Sequence, residues 1–292
     1  TESQFCHPNN YIAESGPLMG AYSALQDWDG LWRFQYALSD RGLLKTAGWV
    51  SYFTSAGNPT MRMSDYIIWF LFIRGDVRPA EKGIALPLDA SLFDRESSLS
   101  AYSRLGLIHR IGMLPQGEKQ KNITVSTAPE PKLKTGTVIS STKEIVLNPA
   151  QEFKVITPKS ECITTDKPEA EAGRLSFRRG NTFQTLSVHS LDALPLGTSS
   201  SLLLFHLTDV KNSSEKFASP DMTYLLSYGR APALQRVGTA DISLRLPAGN
   251  WRVMSLNPDG TVKRTENAVW RNGTLQFRAN TGNTLVYHIV KQ

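Results

Sequence analysis

The side chains best suited to chemistry crowd the start of the chain. Glu2 and Glu14 are carboxylates, and His7, Asn9, Asn10 and Tyr11 lie between them. These four can donate or accept hydrogen bonds, so they could hold the hydroxyls of a polar substrate, although Pro-Asn-Asn is also ordinary turn chemistry. Glu14 sits where the first turn of a helix is expected, and a negative charge there meets the helix dipole favourably, which points to a structural role. Asp27 and Asp29 flank a turn and suit backbone capping. Trp49, Tyr52 and Phe53 offer aromatic faces on which a sugar ring could stack, or which could cover a domain junction. His109, His189, His206 and His288 show no metal-ligand spacing and read as strand or surface residues. No Gly-x-Ser-x-Gly elbow and no phosphate-cradling glycine loop is present. Cys6 and Cys162 match no zinc or redox spacing and read as two free thiols.

Several elements must position these groups. Ala13, Leu18, Ala21, Tyr22, Leu25 and Trp28 recur at helical spacing, with Pro17 tolerable in the first turn. Asp29-Gly30 makes a turn, and residues 31–37, rich in aromatics, read as a strand. A helix leading by a short turn into a strand is half of a βαβ unit. Residues 42–56 read as a loop. Asn58-Pro59-Thr60 supplies a helix start, and residues 63–73 are apolar almost all round, as in a helix pressed against a wall. Gly75 ends that helix. Residues 91–106 have room for one or two short helices, and residues 117–137 read as a linker or an exposed hairpin. Beyond Val138, short runs of β-formers alternate with turns, Ser201 to Leu207 and Trp251 to Leu256 among them, and these predict a β-sandwich.

Thr1-Glu2, His7-Pro8-Asn9, Ala13-Glu14 and the run from Ala24 to Gly30 resemble the seventh strand, seventh helix and eighth strand of clan A glycoside hydrolases, nearest to bacterial β-galactosidase-like and cellulase-like members. The stretches from Phe72 to Ala80 and from Leu246 to Val253 add to the likeness. The resemblance implies an α/β plus all-β chain. The last βα units of a (β/α)8 TIM barrel, residues 1–85, would be joined by a connecting segment, 86–137, to an antiparallel β-sandwich accessory domain, 138–292. It implies a retaining, two-carboxylate hydrolase of a β-linked oligo- or polysaccharide, with Glu2 as the nucleophile and the acid/base on strands that this chain lacks. His7, Asn9, Asn10, Tyr11, Tyr36, Asp40 and Trp49 would then line the substrate face. By itself the chain would hydrolyse nothing. The partners expected are the carbohydrate and a missing N-terminal barrel segment, or a partner chain supplying it. No cofactor and no metal are called for. The alternative is a non-catalytic carbohydrate-binding or structural β-sandwich module, with Trp251 and Trp270 as stacking candidates.

Composition narrows the field further. With 292 residues the chain can hold two domains and a sizeable core. Its net charge of +6 comes from lysines and arginines scattered along the sequence, which argues against a nucleic-acid groove. No apolar run is long enough to span a bilayer. No signal peptide is visible, and the opening reads as the middle of an enzyme; export, to the periplasm or beyond the cell, is expected only because enzymes that meet polysaccharides are typically exported.

Overall fold

Alternation of apolar and polar residues beyond position 138 produces two large antiparallel sheets. The computed structural model describes residues 2–37, 39–40, 49–88, 103–115, 117–125, 136–149 and 151–292. Its larger sheet has nine strands, in the order β20 (Val262–Thr265), β19 (Trp251–Leu256), β23 (Val286–Lys291), β13 (Ser201–Leu207), β12 (Gln184–Ser190), β9 (Ser160–Thr165), β8 (Glu152–Ile156), β7 (Ile145–Asn148) and β6 (Val138–Ile139). The smaller has five, β10 (Ala170–Ala172), β11 (Leu175–Arg178), β18 (Thr239–Arg245), β22 (Thr274–Asn280) and β21 (Ala268–Arg271). The two face each other across one apolar core. Leu186, Val188, Leu202, Leu204 and Val253 come from the large sheet; Leu175, Phe177, Ile242, Leu244 and Phe277 come from the small one. Each strand of the small sheet keeps period two, as in β18, where Ala240, Ile242 and Leu244 point in and Asp241, Ser243 and Arg245 point out.

The other face of the large sheet is covered as well. Helix α1 (Ser15–Leu25) and helix α2 (Pro59–Ile68), which continues into a π-helical turn at Trp69–Ile73, lie on it. They share a second core with Phe153, Val155, Cys162, Phe205 and Leu207 of the sheet. Asn58 caps α2, its side chain accepting from the Met61 N–H at 3.1 Å, and Pro59 fills the first helical position, where no donor is needed. Thr60 Oγ1 donates to the Thr208 carbonyl at 2.8 Å and Thr185 Oγ1 to the Ala13 carbonyl at 2.7 Å, so hydroxyls as well as apolar contacts tie the helices to the sheet.

The helices touch each other through two glycines. A Cβ on Gly16 would sit 3.0 Å from the Ser64 backbone, and one on Gly20 would sit 3.1 Å from the backbone of Ile68 and from the Leu71 side chain. Gly16→Ala and Gly20→Ala are each expected to destabilise by about 1–3 kcal/mol, overpacking outweighing the roughly 1 kcal/mol that alanine gains in helix propensity. Urea denaturation checks this; a stabilised Gly20→Ala protein would mean that α1 and α2 are free to move apart.

The closing units of a (β/α)8 barrel, expected for residues 1–85, are absent among the described residues. Among the described residues, parallel pairing is confined to β1 (Glu2–Ser3) with β2 (Trp32–Arg33), and to a three-stranded sheet in the order β4 (Arg110–Pro115), β3 (Gly83–Leu88), β5 (Ile123–Val125). Antiparallel strands far outnumber helical residues among the described residues. The physical reason lies in what the helices bury: α1 and α2 turn their apolar faces to the nine-stranded antiparallel sheet rather than to a ring of parallel strands. The short helices expected within residues 91–106 fall mostly outside the described residues, apart from a 3-10 turn at Ser103–Leu107. Part of the segment read as a linker forms β5.

Candidate functional site

The chemically equipped opening meets an arm formed by residues some two hundred positions further along the chain. The arm consists of β14 (Val210–Ser213) paired with β17 (Arg230–Gln235), extended by β15 (Lys216–Phe217) paired with β16 (Leu225–Ser227). Asn212, on this arm, accepts from the Val50 N–H and donates to the Val50 carbonyl, both at 2.7 Å. Glu215 Oε1 accepts from the Asn212 N–H at 2.7 Å and meets His7 Nε2 at 2.5 Å. Both side chains of that pair are out of solvent, 0% and 3% exposed. Burial pushes the His7 pKa down, and the neighbouring Glu215 carboxylate opposes that push. Since Nε2 donates to the carboxylate, Nδ1 is the free lone pair, and it has no partner.

The sequence candidates divide among different surroundings. Glu2 lies on β1, in parallel register with Trp32; its side chain is outside the described part of the structure. His7 is buried against the arm, and its N–H donates to the Tyr52 carbonyl at 2.7 Å. Asn9 closes a local turn, accepting from the Tyr11 N–H at 2.7 Å, and Asn10 Oδ1 is buried without a partner. Tyr11 stands edge-on to Phe183, ring centres 4.9 Å apart, and lines with Glu14 a cleft that does not include His7. Burial raises the Glu14 pKa. Asp40 is exposed, as are Tyr36 and Trp49.

A band of aromatics runs beside β1. Trp32, Phe34 and Tyr36 point to solvent, while Arg33 and Gln35 between them are turned inward, the reverse of what an apolar strand would do. Trp32 is 72% exposed. Phe34 meets Phe53 at 4.9 Å, and Tyr52 meets Tyr228 of the arm at 4.4 Å. Tyr36 continues the band into an apolar groove of about 610 Å3, lined by Tyr66, Trp69 and Phe70 with Arg62 and Asp65. Arg33 Nε approaches Asp65 Oδ1 to 3.0 Å as an ion pair without hydrogen-bond alignment. Burial raises the Asp65 pKa against the pull of Arg33, and lowers that of Arg33 against the pull of Asp65. Chemically, the band offers ring faces for the C–H face of a sugar, with two charged groups at one end of it. Tyr66 and Trp69 were legible only as buried helix, and nothing local marks Glu215 as the partner of His7.

Two other constellations are structural. Trp251 is buried in the sandwich core and Trp270 packs against it, with their indole N–H groups donating to the Pro247 and Leu246 carbonyls, so neither presents a face to a sugar. Asp76, Ser160 and His189 are linked, but the serine hydroxyl stands between the acid and the imidazole. A hydroxyl that donates to the carboxylate cannot be deprotonated by the histidine, which is the reverse of a catalytic triad. All three are buried. Among the described residues no group of His, Cys, Asp and Glu could hold a metal ion, and no helix is long and apolar enough to cross a membrane. No protein-family model matches the chain, and no curated protein sequence matches it.

Proposed function

We propose that the chain serves a retaining glycoside hydrolase acting on a β-linked oligo- or polysaccharide, with Glu2 as nucleophile and the acid/base carried by polypeptide outside these 292 residues. The observation that carries this reading is the place of Glu2 on β1, in register with exposed Trp32 at the head of the band that continues through Phe34 and Tyr36. A nucleophilic carboxylate needs the sugar ring held beside it, and exposed ring faces next to the strand supply such a platform. Retention asks for a second carboxylate about 5–5.5 Å away, whatever fold presents it. The resemblance of the opening residues to clan A enzymes supports the same chemistry. The second polypeptide segment, preceding this one or on a partner chain, would complete the site. The substrate is a carbohydrate, and export to the periplasm or the outside of the cell follows from meeting one there.

A second reading, a non-catalytic carbohydrate-binding module, draws on the groove formed by Tyr36, Tyr66 and Trp69, which could hold a sugar without any carboxylate pair. Labelling separates the two. A 2-deoxy-2-fluoro aryl β-glycoside, applied to protein isolated from its natural source, is expected to leave one covalent glycosyl group on Glu2, located by peptide mass mapping and lost in Glu2→Gln. The isolated chain is expected to release no aryl alcohol. Turnover by the isolated chain would refute an external acid/base, and a label on another carboxylate would refute Glu2 as nucleophile.

A further inference from the structure

The outward face of the five-stranded sheet bears a groove of about 850 Å3 that the hydrolytic reading does not use. Its floor is a cross-strand row of small polar side chains: Ser176 on β11 is paired with Ser243 on β18, which is paired with Gln276 on β22. Two residues further along each strand, the row Arg178–Asp241–Arg278 forms one wall, joined by Arg179. On the other side stands Arg245, paired in register with Thr274. Guanidinium groups therefore flank a hydroxyl- and amide-lined floor on both sides.

The charges do not cancel. Arg179 and Arg278 share the single carboxylate of Asp241, and Arg245 meets Glu171 at 3.1 Å. Arg178 comes no nearer than 3.8 Å to Glu169, with both side chains largely in water, where such a pair contributes little. Four arginines thus line the groove against two carboxylates. No aromatic side chain faces it, since Phe177 and Phe277 belong to the core beneath and Trp270 packs inward. That removes the stacking by which single-stranded nucleic acids and neutral sugars are usually held. What remains is the planar fork of arginine, which matches a carboxylate with two parallel hydrogen bonds, beside hydroxyl and amide groups that can pair with sugar hydroxyls.

We infer that this groove binds a carboxylate-bearing polysaccharide, a polyuronate, with the uronate carboxylates on the arginine walls and the ring hydroxyls over Ser176, Ser243 and Gln276. The site is separate from Glu2 and stands whether or not Glu2 is a nucleophile. The test is calorimetric titration of the whole chain with polygalacturonate oligomers, beside a neutral β-glucan, a sulfated glycosaminoglycan and duplex DNA of equal charge. Polygalacturonate is expected to bind, and the double variant Arg178→Ser/Arg278→Ser to weaken it at least tenfold. Arg252→Ser, an exposed change on β19 of the other sheet, is expected to leave binding unchanged. The substituted side chains are more than half exposed, so the fold is expected to be retained, which urea denaturation checks. No binding of polygalacturonate overturns the inference. Equal or tighter binding of the sulfated polymer or of DNA also overturns it, as that describes a generic basic surface, and so does binding that the double variant leaves intact.

Discussion

Asp76→Ala is expected to destabilise the protein by about 3–5 kcal/mol, the range for removing one partner of a buried ion pair. Asp76 has 0% side-chain exposure, and Arg74 has 13%. The two are joined by a fork, with Arg74 Nε donating to Asp76 Oδ1 at 2.9 Å and the terminal nitrogen to Oδ2 at 2.5 Å. The same carboxylate receives the Ser160 hydroxyl, which in turn accepts from His189 Nδ1 at 2.6 Å. The guanidinium lies 4.4 Å over the Phe70 ring, and that ring is stacked on His189 at 4.5 Å. Removing the carboxylate therefore leaves a cation in a nearly dry site and a hydroxyl without its acceptor. Arg74→Met combined with Asp76→Ala is expected to recover much of the loss, because no uncompensated charge remains. Urea denaturation of the three proteins measures both quantities. A loss below about 1 kcal/mol in Asp76→Ala would mean that water reaches the guanidinium.

That network also explains how far the sequence could be read. The run from Ser201 to Leu207 coincides with β13, since a strand covered on both faces reads as a nearly continuous apolar stretch, here Leu202 to Phe205. The neighbouring strand β12 is just as buried, yet it alternates Leu186 and Val188 with Thr185, Ser187 and His189. Such alternation ordinarily marks one face in solvent, so nothing suggested that a helical layer lies on it. Part of the polar row is instead satisfied from the helices and from neighbouring strands, as Thr185 is by Ala13 and Thr164 and His189 Nδ1 by Ser160, while Ser187 Oγ and His189 Nε2 have no partner. With that cover invisible in the sequence, the apolar helical stretches around Leu25 and Ile67 suit a barrel wall equally well. The candidate site was less legible still. His7 meets Glu215 across 208 positions, and the arginines of the outer groove are dispersed through the sequence, at 178, 179, 245 and 278, until β11, β18 and β22 pair. Sheet register, which brings such residues together, is a long-range property that no local pattern encodes.

Acid is expected to weaken the fold before its carboxylates titrate, and His206 accounts for a defined part of that loss. His206 is wholly buried on β13, its Nε2 held at 2.7 Å by Gln184 Oε1 and its Nδ1 without a partner. Burial lowers its pKa to about 3, against about 6.5 in an unfolded chain. His189 is pushed down in the same direction by burial and by the charge of Arg74, and His7 by burial. For a histidine whose folded pKa lies below its unfolded value, the contribution is complete above pH 6.5. It is lost as the pH falls from there towards the folded pKa, because only the unfolded chain takes up the proton. Each such histidine costs up to about 1.4 kcal/mol per pH unit, so His206 alone removes roughly 2 kcal/mol between pH 6.5 and 5. Asp65, Glu14 and Glu161 work the other way: their pKa values are raised by burial, and protonating them relieves a cost of the folded state. The variant His206→Gln separates the two effects. Its amide can still donate to Gln184, and the carboxylates are unchanged, so the difference between the two proteins in their stability loss from pH 6.5 to 5 isolates His206. That difference is expected to be about 2 kcal/mol, with the variant losing less, whatever its stability at neutral pH. Equal losses in the two proteins would mean that His206 accepts a proton in the folded state as readily as in the unfolded one, and that β13 is hydrated where it is otherwise sealed between the helices and the five-stranded sheet.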